Sequence, residues 1–349
     1  MTEHHISSAN FGRFLEKLLD VSRLIAPVEE FGKPHFKEIS ARDIPDVRLS
    51  GYRTVEPLKT YFYPLIEKVS RYFGEDETAR GEGFIILGAR GCDLEGLEVL
   101  DKVFSEGDFQ DPFYVANRDK VTVISADCTD CADTCFCTLV KGQPYPVKLF
   151  DLNLSPQKDG YVVEVGTPKG QALIDSNKGL FSKVPKAFLD DKENNRRRLG
   201  DLLMEKNRDF KTRLDLSETH KRNLENTAWK QLAKDCVECS NCNYICPTCS
   251  CFLLLDQEAD KQSERYKVWD ACLKSGYAKV AGGANPRGEL FMRLQNRYHC
   301  KFDYSFDRLG RFTCVGCGRC CLDGCAGRID MRRVFVELEK KVPLTAKLK

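Results

Sequence analysis

The sequence has no stretch approaching the roughly 18 consecutive apolar residues of a membrane span. It also has almost no net charge: 54 Lys and Arg against 52 Asp and Glu leave +2. That balance argues against a nucleic-acid or anionic-membrane partner, either of which calls for a basic surface. The first residues, MTEHHISSANFGRF, lack the basic-then-apolar build of an export signal, so a cytoplasmic protein is expected. G-x-x-x-x-G-K-[ST] and G-x-G-x-x-G are both missing, and GARGCD at 88–93 has the wrong spacing for either. The five histidines include His4 and His5 beside the start, poor material for general acid–base work. No catalytic residue is expected, nor any flavin or NAD bound by this chain itself.

Cysteine is what the chain has in excess: 18 in 349 residues. A disulfide scaffold would be short and exported, so in a reducing compartment these thiols read as metal ligands. None precedes Cys92, none lies between Cys137 and Cys236, and 13 fall within Cys236–Cys325. Two separate constellations follow from that spacing.

Length and an apolar content of 42% allow two or three domains with real cores. Phe11, Phe14, Leu15, Leu18 and Leu19 recur at helical spacing, placing an amphipathic helix over 10–24. Residues 56–73 read as extended up to Pro64 and helical afterwards. GFIILGARGCD followed by LEGLEVLDKVF reads as strand, turn and helix, with Cys92 at the strand end. KVTVISADC and GYVVEVGT read as strands. The expected fold is an α/β (or α+β) N-terminal domain over 1–169, followed by a charged helical connector over 170–235. A mostly helical, ferredoxin-like two-cluster domain then spans 236–330, and 331–349 form a C-terminal tail.

The run CVECSNCNYICP carries Cys236, Cys239, Cys242 and Cys246, then Pro247. This is C-x2-C-x2-C-x3-C-P, the bacterial ferredoxin arrangement for [4Fe–4S] clusters. Two-residue gaps wrap the backbone round a cubane so that three thiolates converge on it. The second run, CVGCGRCCLDGC, carries Cys314, Cys317, Cys320, Cys321 and Cys325, with Gly316 and Gly318 suited to a crowded cluster loop. By the crossing rule of two-cluster ferredoxins, one cluster takes Cys236, Cys239, Cys242 and Cys325, and the other Cys314, Cys317, Cys320 and Cys246. The interval from Cys320 to Cys325 is x4 rather than x3, and Ala326 replaces the usual proline. Cys321 is an alternative to Cys320 but spoils the x2 step. Structural zinc is the competing metal, although two triple runs overshoot its four ligands.

Cys249 and Cys251 in PTCSC, Cys272 in VWDAC, and Cys300 stand outside this scheme, as small apolar residues or as part of another metal or redox site. In the N-terminal domain, Cys92, Cys128, Cys135 and Cys137 make a chemically sensible set for a third cluster, with Cys131 an alternative. A zinc site or a reduced loop is the other reading. His299, beside Cys300 and Lys301, reads as a surface or core residue. Arg319 beside Cys320 reads as a mostly solvated charge.

GARGCDLEGLEVLD, CFCT, YVVEVGTPKG, CNYICPTCSCF, VWDAC, VAGGANPRG and CVGCGRC occur in this order. Over about 50–330 the set resembles the beta subunits of cytoplasmic sulfhydrogenases, the NAD(P)-linked nickel–iron hydrogenases. It is also similar to iron–sulfur subunits of anaerobic sulfite reductase and of flavin oxidoreductase–heterodisulfide reductase complexes. The resemblance implies an electron-transfer subunit. Its partners would be a flavin/NAD(P)H oxidoreductase subunit and a hydrogenase, sulfite reductase or heterodisulfide-reductase-type subunit. It carries the eight ferredoxin-type cysteines over as ligands, and places Cys92, Cys128, Cys135 and Cys137 where such relatives hold a further set. Two other classes are weighed beside it: a reductase of a sulfur compound using a cluster-adjacent thiol, and a zinc-stabilised scaffold.

Overall fold

Phe84–Ala89 is apolar at every position, as a strand covered on both faces must be. Strands of this kind organise the computed structural model, which describes residues 2–72, 83–259 and 262–340. In chain order the strands are β1 (Glu3–Ile6), β2 (Arg23–Glu30), β3 (Lys33–Ile39), β4 (Ile66–Arg71), β5 (Phe84–Ala89) and β6 (Val121–Ala126). There follow β7 (Leu152–Pro156), β8 (Tyr161–Val165), β9 (Ser182–Lys183), β10 (Phe252–Ala259) and β11 (Gln262–Trp269). The chain divides into two compact units, each made of discontinuous segments.

The first unit comprises Met1–Pro64, Thr78–Asp133 and Lys141–Glu205. Its sheet runs β3-β2-β5-β6-β7-β8-β1-β9, with β2, β5, β6 and β7 parallel and the remaining pairs antiparallel. The amphipathic helix forms over Ser8–Leu19, capped by the Ser7 hydroxyl, and buries Phe11, Phe14, Leu15 and Leu18 against this sheet. After β5 the chain turns directly into the helix Gly91–Phe104, so Cys92 stands in its first turn rather than ending the strand. Arg90, 2% exposed, holds the turn by donating to the carbonyls of Leu49, Ala126 and Asp127.

The charged stretch read as a connector behaves differently. Lys186–Lys206 is one helix whose buried residues are Lys192, Leu199 and Leu203, and the division between units falls at its end. Two of its charges face inward while the others stay exposed: Arg196 Nε lies 2.8 Å from Asp127 Oδ2, its Nη2 contacts Glu164, and Lys192 Nζ lies 3.0 Å from Glu164 Oε1. Composition reads such a run as solvated because the acids that claim it, Asp127 and Glu164, are distant in sequence. Replacing Arg196 by methionine leaves both carboxylates buried without their principal cation. A loss of about 3–5 kcal/mol is expected, measured as a drop in the thermal or denaturant midpoint.

The second unit comprises Leu65–Glu77, Thr134–Val140 and Lys206–Lys349. The expectation of a helix after Pro64 is overturned there. Lys59–Phe62 is a short helix, whereas Ile66–Arg71 is β4, paired antiparallel with β11 in the sheet β10-β11-β4. Ile66, Val69 and their polar neighbours suit an edge strand, and a partner 200 residues away in sequence supplies the ladder. Residue 73 lies outside the described residues. This three-stranded sheet accompanies the helices, which include Leu290–His299 and Met331–Lys340. The latter opens the expected C-terminal tail, and its Met331, Val334, Phe335 and Leu338 enter a core with Trp229 and Tyr298. The rest of the expected tail, 341–349, lies outside the described residues. Among the described residues no helix is long and apolar enough to cross a membrane.

Candidate metal centre

The first cysteine run begins just after the short helix Ala228–Leu232. Glu238 and Ser240 take left-handed backbone angles, φ 54° and 61°, one beside Cys239 on each side. Non-glycine residues held in that region mark a loop whose course is dictated by what it wraps. Cys236, Cys239 and Cys242 line one pocket, which Cys325 enters from the second run. Arg297, Tyr298 and Cys320 also border it.

Close backbone approaches join the two runs. A Cβ at Gly327 would stand 1.8 Å from the Asp235 carbonyl, so the end of the second run is laid against the start of the first. Asn241 Nδ2 donates to the Gly324 carbonyl at 2.8 Å. The x4 interval is absorbed in the single 3-10 turn Leu322–Gly324, where Leu322 has φ 46° and Cys325 N–H donates back to its carbonyl at 2.9 Å.

The other expected set is Cys314, Cys317, Cys320 and Cys246, of which Cys320 also borders the first pocket. Burial, then the like charges of Cys320, Cys246 and Cys317, push the Cys314 thiol well up. In the first group burial raises Cys236, with Cys325 and Cys239 adding to it, and pushes Cys242 up to about 12. Cys320 alone is held down, to about 6, first by its hydrogen bond with Cys321 and then by Arg297. Cys321 itself, 2% exposed, belongs to the core around Tyr298 and Phe335, where its Sγ accepts from Met331 N–H at 3.4 Å.

Arg297 was not visible as a site residue in the sequence. It is 3% exposed and its Nη1 donates to Cys249 Sγ at 3.6 Å, while its Nη2 has no hydrogen-bond partner. Cys242 and Cys320, one from each group, are the strongest of the charges that favour its ionised form, against a large burial cost. Arg319 is likewise buried, at 2% exposure, contrary to the solvated charge expected of it. A buried guanidinium among two sets of sulfurs needs anionic partners, and cluster-bound thiolates supply them. Eight cysteines in two groups therefore fit two [4Fe–4S] clusters.

The fit to zinc is poorer. Tetrahedral zinc with Zn–S near 2.3 Å brings its sulfurs to about 3.8 Å from one another. Among the described residues no three cysteine sulfurs lie within 4.8 Å of one another. A cubane sets each thiolate on a different iron and keeps them farther apart.

Of the N-terminal set, Cys92, Cys128 and Cys131 lie in the first unit and Cys135 and Cys137 in the second. Within the second unit the CFC turn packs on the second run, with Phe136 N–H donating to the Gly316 carbonyl at 2.7 Å. His299 is half-buried, its Nδ1 2.6 Å from Asp303 Oδ2 and its ring stacked on His220. Burial pushes His220 down to about 4, and Lys221 Nζ, 3.4 Å from Asp303, completes an ion-paired group.

Comparison with known proteins agrees with this geometry. A family model described as a 4Fe-4S dicluster domain matches residues 235–329, the span that holds both cysteine groups. Over 340 residues the chain is 31% identical to sulfhydrogenase 2 subunit beta of Pyrococcus furiosus, covering 96% of this chain and 98% of that one. An identity of that level, sustained along nearly the whole of both proteins, establishes that the chain belongs to the family of sulfhydrogenase beta subunits.

Proposed function

We propose that this protein is the iron–sulfur electron-transfer subunit of a cytoplasmic hydrogenase-type complex. It relays single electrons between a flavin/NAD(P)H-handling subunit and a nickel–iron catalytic partner. The observation that carries this reading is the pocket in which Cys320 and Cys325 of the second run meet Cys236, Cys239 and Cys242 of the first, with the buried Arg297 on its wall. Cys236, Cys239, Cys242 and Cys325 hold one cluster, and Cys314, Cys317, Cys320 and Cys246 the other. Cys92, Cys128, Cys135 and Cys137 are carried for a third cluster by the sequence alone.

Bound [4Fe–4S] clusters supply one-electron redox chemistry, with potentials spanning roughly −700 to +450 mV according to their surroundings. The chain's own residues set those surroundings. Leu273, Leu294, Ile329 and Met331 line the first pocket with apolar surface, while Cys239 is exposed. Arg297 places a fixed positive charge beside both groups and so favours the more negative, reduced state. Arg297→Leu is expected to lower the dicluster potentials by tens of millivolts, at most on the order of 100 mV for an effective dielectric near 20. A redox titration followed by paramagnetic resonance checks this. The functional reading is tested by anaerobic purification with the partner subunits: NAD(P)H should then reduce the iron–sulfur centres of this chain. Centres that stay oxidised in the intact complex would contradict the relay.

A further inference from the structure

His220 is 0% exposed, yet neither of its ring nitrogens has a hydrogen-bond partner. Burying polar atoms that nothing satisfies is costly, so such a ring asks what answers it. The Gln295 backbone approaches it without a well-aligned hydrogen bond. Its Nδ1 lies 3.7 Å from Asp303 Oδ2. His299 Nδ1 also lacks a well-aligned hydrogen bond, although it stands 2.6 Å from the same oxygen. Ligand-capable atoms of His220, His299 and Asp303 all fall within 4.8 Å of one another.

Three elements of the second unit bring these residues together. His220 comes from the helix Leu216–Lys221, His299 ends the helix Leu290–His299, and Asp303 sits in the π-helical turn Cys300–Tyr304. Such turns are rare and recur at functional sites, and this one sets Asp303 against the His299 ring. Trp229 meets the His220 ring edge-on at 5.9 Å, and Tyr304 covers the His299 ring at 3.8 Å. Burial lowers both imidazoles toward the neutral form, the form that ligates metal.

The neighbouring charges leave one carboxylate oxygen to the rings. Lys221 Nζ is shared between Asp303 Oδ1, at 3.4 Å, and Asp307 Oδ1, at 2.9 Å. Arg287 opposes a positive His299, and Asp303 and Asp307 offset it. Two imidazole nitrogens and one carboxylate oxygen form a donor set for a borderline divalent metal, zinc foremost. Zinc bonds near 2.0–2.1 Å hold tetrahedral ligand atoms about 3.3 Å apart. That spacing falls between the 2.6 and 3.7 Å found here.

We propose that His220 Nδ1, His299 Nδ1 and Asp303 Oδ2 bind a single zinc ion, with water completing its coordination. The ion pins the helix Leu216–Lys221 to the turn after Leu290–His299, a structural role separate from electron transfer.

The test uses the full chain, purified anaerobically with its clusters loaded so that the ligand cysteines are occupied. Zinc is added and the excess removed. Zinc, iron and sulfide per chain are then counted for the natural sequence, His299→Gln and Asp303→Asn. The natural chain should retain about one zinc, and X-ray absorption at the zinc edge should show nitrogen and oxygen at about 2.0–2.2 Å without sulfur near 2.3 Å. Both variants should bind zinc at least about 10-fold more weakly, with iron and sulfide unchanged. Zinc should also raise the thermal midpoint of the natural chain and not that of Asp303→Asn. No retained zinc, a shell of sulfur alone, or equal binding by the variants overturns the site. Should a variant misfold and lose its iron, the absorption spectrum of the natural chain still decides.

Discussion

Cys246→Ala is expected to produce the same spectroscopic defect as Cys317→Ala, although it lies in the other cysteine run. Likewise Cys325→Ala should match Cys239→Ala. This exchange follows from the proposed ligand sets: Cys325 lines one pocket with Cys236, Cys239 and Cys242, while Cys246, Cys317 and Cys320 are the cysteines whose charge acts on Cys314. Each replacement removes one thiolate from a set and leaves its partners without their shared counter-charge. We expect each to cost about four iron atoms and to slow electron passage roughly 100-fold or more. Paramagnetic resonance of the reduced variants, sorted by which signal disappears, checks the pairing. If Cys246→Ala removed the same signal as Cys239→Ala, each cluster would belong to a single run and the crossing would be wrong.

The second large effect is steric. Gly318 has φ +67°, and a Cβ built on it would stand 2.0 Å from the Thr134 carbonyl oxygen. That oxygen is backbone and cannot swing away. Gly310 has nearly the same angle, φ +66°, but nothing lies within 4 Å of its Cβ position. Gly310→Ala should therefore cost only the left-handed strain, on the order of 1–2 kcal/mol. Gly318→Ala adds a backbone clash in the loop that carries Cys317 and Cys320, so a loss above about 4 kcal/mol and failure to retain iron are expected. Thermal unfolding and iron content of the two variants, measured together, separate strain from collision. Equal losses in both would show that the CFC turn does not press on the cluster loop.

Much of the site could be read from the chain itself because ferredoxin ligands are local. Cys236, Cys239 and Cys242 sit within seven residues, and their spacing alone describes the wrap round a cubane. The strand Phe84–Ala89 and the helix after it were legible for the same reason, since apolar runs and helical periodicity are short-range signals. Long-range pairing was hidden. Ile66–Arg71 becomes a strand through β11, some 200 residues later, and nothing within 56–73 announces that partner. Buried charges were hidden too. Arg196, Arg297, Arg319 and Lys301 belong to a residue class that is ordinarily solvated, and their burial makes sense only beside acids or sulfurs brought from elsewhere. For Arg297 those sulfurs are Cys242, Cys246, Cys249 and Cys320, which lie up to 55 residues away before it and 23 after it.

The connector shows how the two kinds of error combine. Its composition is that of an exposed helix, and Lys186–Lys206 is indeed helical. Yet Lys192 and Arg196 occupy positions that bury their heads against Asp127 and Glu164, anchoring the helix to the first unit. Helix propensity was legible, and which two of its charges turn inward was not.

The most direct measurement is the low-temperature paramagnetic resonance of the anaerobically prepared chain after dithionite reduction, with iron and sulfide counted on the same sample. The account expects fast-relaxing signals of reduced [4Fe–4S] centres, broadened by mutual coupling, at two or more spins per chain. A folded, colourless protein carrying zinc and showing no such signal would contradict it.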